Sequence, residues 1–532
     1  MRIFFSWVVV FLLAGCQMTQ QIESASETNP TNNNNANQTL SSSDTSRSSN
    51  INRTSSNTSK DNDSVAQKAT PQNSSDVWQR IAMQLSLDIP DQTTVERYRN
   101  WYISHPNHLA IVSKRAEPFL YLIVEKIEQR ELPMELALLP IVESSFDPFA
   151  YSHGSAAGLW QFVPGTGKMY GLEQNYWYDG RRDVAAATDA ALDYLTALNK
   201  RFNGNWSHAI AAYNSGGGRV SRAITKNKKA NKPIDFFSLD LPKETSSYVP
   251  KLLALADVVS HQKKYGITIP AIENKPVLQT VDPNEQLDLA IAANYAGLSV
   301  TELQSYNPAY NQWATPPEGP HHFLLPLNSI EQFNKSVEEN KGKGVKLVRY
   351  QVKSGDTLSV IARNYDTTSK IIRTANNLSS NLIRVGQQLM VPISSKNNEA
   401  YALSATNRLT KIQSKQRGKF KVTHTVSKGE SLWTIAKEHK VSYQSLAEWN
   451  GMGPRDTLKI GQKLVIWKNS SDGGIMRTVH YKVRSGDTIS AIANKFKVKT
   501  SDIVKWNNLS NQKYINPGQS LKLYVDVTKV NV

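Results

Sequence analysis

The chain has 532 residues, 62 Lys and Arg against 45 Asp and Glu, a formal net charge of +17 and a single cysteine. That length exceeds what one hydrophobic core serves, so several domains are expected, and a lone cysteine excludes an intramolecular disulfide framework. The charge calls for an anionic partner, whether nucleic acid, lipid headgroups or a carboxylate-bearing polymer, and does not choose among them.

Residues 1–15 hold one basic residue, Arg2, and then an apolar run too short to span a bilayer, the pattern of an export signal. The run ends in Leu13-Ala14-Gly15-Cys16, which resembles the bacterial lipobox, so Cys16 is expected to carry a lipid that anchors the chain to a membrane. Gln17, rather than Asp, follows it, which resembles the outer-membrane pattern of Gram-negative lipoproteins and implies a protein of the cell envelope facing the periplasm. Residues 16–75 then collapse to Ser, Asn, Thr and Gln, a composition that cannot bury enough surface to fold. As a tether of roughly 60 residues the segment has an r.m.s. reach of about 45 Å and an extended limit of about 200 Å.

Helical periodicity begins at Val77 and Trp78, and apolar faces in residues 95–98 and 119–127 predict packing helices, giving an N-terminal helical region over 76–130. A second, mostly helical domain is predicted over 131–265. Its first helix is largely apolar from Pro133 and ends at Glu143 and Ser144, before Phe146-Asp147-Pro148. A short polar stretch leads to the small-residue turn Gly154-Ser155-Ala156-Ala157-Gly158-Leu159-Trp160-Gln161. Asp183 is placed to cap a helix over 184–195 that Gly204 closes, and a further helix through residues 208–213 runs into Asn214-Ser215-Gly216.

A carboxylic acid still protonated near neutral pH is what glycosidic cleavage needs, because the leaving oxygen must gain a proton as its bond to C1 breaks. Leu136, Ala137, Leu138, Leu139, Ile141 and Val142 would desolvate Glu143, and a helix C-terminus adds the negative end of the dipole; both disfavour the anion. Ordinary glycosidases set a second carboxylate across the bond. The nearest candidate here, Asp147, is followed by Pro148 and reads as a turn residue, so the substrate's own N-acetyl group is left to stabilise the oxocarbenium-like state. Trp160 and Tyr213 either stack on sugar rings or fill the core. His105 and His108 flank Pro106 without a completing ligand cluster, and Gly165 to Lys168 lacks the upstream glycine of a phosphate loop, so neither metal nor cofactor is expected.

The segments around Glu143, Ala211-Ala212-Tyr213-Asn214-Ser215-Gly216 and Glu244-Thr245-Ser246-Ser247-Tyr248-Val249 resemble the soluble-lytic-transglycosylase-like (SLT-like) domain, with a lysozyme-like, mostly α (α+β) fold. The resemblance implies that Glu143 is catalytic and that Gln161, Tyr213, Asn214 and Tyr248 line the sugar site; Ser152 and Trp160 complete the expected substrate-binding set. It also implies cleavage of the β-1,4 bond between N-acetylmuramic acid and N-acetylglucosamine. The acceptor would be the C6 hydroxyl of the same muramic acid, which leaves a 1,6-anhydro end.

The C-terminal half repeats. Gly355, Gly429 and Gly486 each open a unit, with Ile-Ala six positions later at Ile361, Ile435 and Ile492, and Asn twenty-one positions later at Asn376, Asn450 and Asn507. The units, at 348–392, 423–467 and 479–524, read as strand, helix, helix, strand and resemble the lysin motif (LysM), a βααβ module that binds glycans containing N-acetylglucosamine. Residues 275–330 echo its helical part without the Gly-Asp-Thr opening and form a possible degenerate copy, while 394–418 reads as a polar linker. The repeated Asp, Thr and Asn are expected to satisfy backbone groups locally.

Together these features resemble the membrane-bound lytic murein transglycosylases, enzymes of cell-wall turnover that act on peptidoglycan. The alternatives are a hydrolytic muramidase using the same acid and a non-enzymatic wall-binding lipoprotein. A nucleic-acid binder would explain the charge but neither the export signal nor the repeats.

Overall fold

A computed structural model describes residues 70–152, 154–469, 476–507, 509 and 515–526. The export signal, Cys16 and tether residues 17–69 lie outside the described residues. Thr70–Ser75, assigned to the tether by composition, belong to the folded part: the Asn274 side chain donates to the carbonyls of Pro71 and Ser74. Composition misses this because one distant asparagine supplies the pairing.

The predicted N-terminal helices and the motif region share one core, which runs from Val77 through Val259 to Ile272 and adds Leu278 and Leu324. Its helices are α1 (Val77–Ala82), α2 (Thr93–Ser104), α3 (Pro106–Ala116), α4 (Leu120–Glu128), α5 (Leu139–Ser144), α6 (Pro164–Met169), α7 (Val184–Arg201), α8 (Trp206–Ser215), α9 (Gly217–Lys229) and α10 (Lys243–Ser260). The expected single helix before Glu143 is two pieces, a 3-10 turn over Met134–Leu138 followed by α5. Pro140 explains the break, since it has no N–H to give the carbonyl four residues back. Asp183 caps α7 by accepting the Ala186 N–H at 2.9 Å, as its position predicts. Among the described residues no helix is long and apolar enough to cross a membrane.

Beyond α10 the chain forms βααβ units, each closed by one antiparallel strand pair. The first has β1 (Leu278–Val281), α11 (Leu289–Tyr295), α12 (Val300–Tyr306) and β2 (Phe323–Pro326), followed by α13 (Ile330–Glu339). Next come β3 (Lys346–Gln351), α14 (Leu358–Asn364), α15 (Ser369–Ala375) and β4 (Gln388–Ile393). Helix α16 (Ala405–Ser414) precedes β5 (Phe420–Thr425), α17 (Leu432–His439), α18 (Tyr443–Trp449) and β6 (Lys463–Lys468). The last unit has β7 (Met476–Lys482), α19 (Ile489–Lys495), α20 (Thr500–Trp506) and β8 (Ser520–Asp526).

A two-stranded sheet is marginal alone, and here two helices cover it. In the unit at β3, residues Leu358, Ile361 and Ile372 bury against Leu389 and Val391. One asparagine locks each unit. Asn376 donates to the carbonyls of Ile372 and Met390 and accepts the Met390 N–H, each at 2.7 Å. Asn450 does the same with Leu446 and Val465, and Asn507 with Ile503 and Lys522. Asn307 does it in the first unit with Leu303 and Leu324, so residues 275–330 are a fourth βααβ copy despite the missing opening motif.

This first copy is also a bracket. It shares a core with Trp177 and Tyr178 of the preceding domain and with Tyr401, and His322 bonds Asp183 at 2.6 Å. The segment read as linker is therefore built in: Tyr401 is buried, its hydroxyl donates to Asp288 at 2.8 Å, and α16 follows. Its polar composition hid one anchoring aromatic.

Asn450→Ala leaves the Val465 N–H and two buried carbonyls unpaired, and is expected to cost about 3 kcal/mol, against about 1 kcal/mol at the more exposed Asn507. Native-state hydrogen exchange at the Val465 and Lys522 amides measures both.

Candidate active site

Glu143 occupies the last turn of α5, and Ser145 and Phe146 behind it take left-handed conformations, φ 50° and 58°, that turn the chain sharply away. Ser144 fixes this corner from the other side, its hydroxyl donating to the carbonyls of Pro140 and Leu159 at 2.9 and 3.0 Å. The next turn packs closely on the chain behind it. A Cβ at Gly158 would lie 2.0 Å from the Arg181 carbonyl oxygen, so only glycine fits there.

Four contacts close a ring around the acid. Ser144 holds Leu159; the Tyr213 hydroxyl donates to the Trp160 carbonyl at 2.8 Å; Thr245 donates to Asn214 at 2.8 Å; and Tyr248 donates to Glu143 at 2.5 Å. The three sequence motifs are thereby joined in sequence and back to the start.

Glu143 is half-buried. Desolvation, the largest influence, pushes its carboxyl up to about 7. The Tyr248 hydrogen bond works against this rise, the Glu244 charge adds to it and the Lys251 charge subtracts from it. The negative end of α5 acts in the same direction as burial. Tyr213, Tyr248 and the acid thus form one coupled group, with both phenols held well above their ordinary pKa by burial and by the Glu143 charge.

The other expected residues divide. Gln161 lies at this corner in a left-handed conformation, φ 50°, with its amide donating to the Gly158 carbonyl at 2.8 Å. Ser152 organises its own turn, accepting the Gly154 and Ala156 N–H groups. Trp160 is fully buried and donates to Thr188 Oγ1 at 2.9 Å, so its ring is core and cannot stack on a sugar; only its backbone carbonyl belongs to the site. Asp147 accepts the Phe149 N–H at 2.9 Å, the turn role its sequence position predicts. Glu244 and Lys251, whose charges act on Glu143, escape a motif reading that looks for contacts, although Glu244 opens the third motif.

Beside this corner lies the second LysM unit. Tyr151 donates to Asp456 at 2.8 Å and Ser155 to the same carboxylate, while Arg408 stacks over Phe149 at 4.8 Å.

Residues 121–236 match the Transglycosylase SLT domain. Residues 350–392, 424–467 and 481–523 match the LysM domain, and 277–341 match the LysM-like domain of lytic transglycosylase MltD. Fold and site define a lytic transglycosylase carrying LysM modules. Over 410 residues, 75% of this chain and 86% of the relative, the sequence is 37% identical to membrane-bound lytic murein transglycosylase D of Escherichia coli (strain K12); the chain belongs to the lytic murein transglycosylase D family. A putative tributyltin chloride resistance protein of Alteromonas sp. (strain M-1) is 45% identical over 166 residues, 31% of this chain and 78% of that one. The 70 kDa soluble lytic transglycosylase of Escherichia coli overlaps 35% of this chain and 32% of its own at 20% identity, with a TM-score of 0.25.

A carboxyl with this pKa loses its proton as pH rises through about 7, so turnover that draws on its acid form is expected to fall over that range. Tyr248→Phe removes a donor that favours the anion, so its alkaline limb lies at higher pH, as pH–rate profiles on sacculi would record. The folded pKa exceeds the ordinary 4.5, so the native state binds the extra proton and loses stability as pH rises between those two values. Glu143→Gln lacks this loss and is expected to gain about 1–2 kcal/mol at about pH 8 in thermal unfolding, the shift being discounted for partial exposure.

Proposed function

We propose that this chain is an envelope-anchored peptidoglycan lytic transglycosylase in which Glu143 is the catalytic acid and base. The observation that carries the reading is one desolvated carboxyl, raised to about 7 and held by Tyr248 inside the ring that joins the three motifs. Glu143 donates its proton to the leaving O4 of N-acetylglucosamine as the C1–O4 bond breaks. The N-acetyl carbonyl oxygen of the muramic acid closes on C1 and takes up the positive charge. The Glu143 carboxylate then accepts the proton of the C6 hydroxyl, O6 bonds to C1, and the N-acetyl group is released. The product is a 1,6-anhydro end, Glu143 is protonated again, and no water is consumed.

Gln161, Tyr213 and Asn214 hold the sugar chain in this reading, and Ser152 shapes the approach. The LysM modules keep the enzyme on an insoluble polymer, where weak sites in series raise effective concentration, and excess Lys and Arg suit a wall bearing peptide carboxylates. Cys16 carries the lipid, and Gln17 directs the protein to the outer membrane, with residues 17–69 as the tether into the periplasm.

Wild-type digests of purified sacculi are expected to contain anhydro-muramic ends, and Glu143→Gln to lose activity by about a thousandfold or more while still binding sacculi. Mass spectrometry of the products decides: reducing muramic ends alone would mark a hydrolase, and full activity in a folded Glu143→Gln would remove that residue from the chemistry.

A further inference from the structure

The second LysM unit departs from its sisters at two positions that face each other. In the units at β3 and β7, Tyr350 and Tyr481 meet Tyr365 and Phe496 edge to face, with ring centroids 5.7 and 5.4 Å apart. The second residue of each pair lies fifteen positions after the first. At the same two positions the middle unit has His424 and His439, with centroids 5.3 Å apart and planes at 87°. The residue before the second ring is Asn364 in one sister and Lys495 in the other, but Glu438 here. An aromatic pair has given way to two imidazoles and a carboxylate together.

The nitrogens are already arranged for one cation. Nδ1 of His424 and Nε2 of His439 are 3.2 Å apart, and Glu438 Oε1 lies 4.0 Å from the latter. All three ligand atoms fall within 4.8 Å of one another. Two nitrogens on a tetrahedral zinc at about 2.0–2.1 Å stand about 3.4 Å apart, close to the 3.2 Å found here.

The far side of His424 is prepared as well. Its Nε2 meets Glu430 Oε2 at 2.9 Å, and the Ser427 N–H fixes that carboxylate at 2.6 Å. The sisters use Asp356 and Asp487 to accept a tyrosine hydroxyl at this point; with histidine the same device sets the tautomer. Nε2 keeps the proton and the Nδ1 lone pair points at His439, the orientation that metal-binding histidines take from such a carboxylate. Lys468 is a nearby cation whose charge acts on His439, and the carboxylates of Glu430 and Glu438 offset it.

We propose that His424, His439 and Glu438 form a binding site for a divalent transition metal, suited to Zn2+, in the second LysM unit, with water at the fourth position. Two imidazoles and one carboxylate are a zinc donor set. The ion joins β5 to the C-terminal turn of α17 and so ties down the turn at Gly429 between them. Glu438, mostly in solvent without the ion, swings onto it.

The detergent-solubilised full chain, stripped with chelator, is titrated with ZnCl2 by calorimetry beside His424→Gln, His439→Gln and Glu430→Gln. The wild type is expected to show a saturable site that weakens at least tenfold in either histidine variant and about tenfold in Glu430→Gln. Zn2+ is also expected to shield His424 and His439 of the wild type from diethyl pyrocarbonate, read by peptide mass spectrometry, a measurement that needs no variant to fold. Equal binding by wild type and folded histidine variants, or modification of both histidines unaffected by Zn2+, would overturn the site.

Discussion

The ring of hydrogen bonds that starts and ends at α5 is the constraint on which the candidate site depends. A desolvated carboxyl is unstable as an anion, and nothing in an apolar helix end would hold it in one place. Tyr248 does so from a helix more than a hundred residues further along the chain, and Asn214 is tied to that same helix through Thr245. The acid is thus raised by burial and oriented by a partner that itself depends on the rest of the ring. Through these contacts three short motifs, scattered over the sequence, meet at one place.

The C-terminal half solves the opposite problem. Each βααβ unit is too small to rely on its core alone, and each uses one asparagine to fasten its second helix to its closing strand. The fourth copy shows which part of the design is essential. It lacks the opening motif and keeps Asn307, and the stretch after its second helix packs on Trp177 and Tyr178 through Trp313 and Tyr310. A glycan-module fold has there become a structural bracket, with Asp183 doing double duty as helix cap and as partner of His322.

Regular spacing made much of this legible in the sequence. Glycine, isoleucine and asparagine at fixed offsets reported the repeats because every copy must satisfy the same backbone groups. Glu143 stood out because a carboxylate at the end of an apolar segment is costly without a purpose. What stayed hidden depended on partners far away in the chain. Trp160 sits in a motif that belongs to the site, yet its ring points inward to Thr188. Tyr401 lies in a basic, polar stretch and is nevertheless buried on Asp288. Pro140 broke a helix that periodicity alone would continue.

The strand pairing has a mechanical consequence. Lys346 pairs with Ile393, Phe420 with Lys468 and Met476 with Asp526, so the chain enters and leaves each of these units at the same edge. Traction along the backbone therefore peels the strands apart one rung at a time instead of shearing all rungs at once. The asparagine grips the closing strand several rungs in, at Met390, Val465 and Lys522, and acts as a stop. Under a pull on its two ends, each unit therefore yields first at its outer rungs and is held at its asparagine, the behaviour of weak springs set in line.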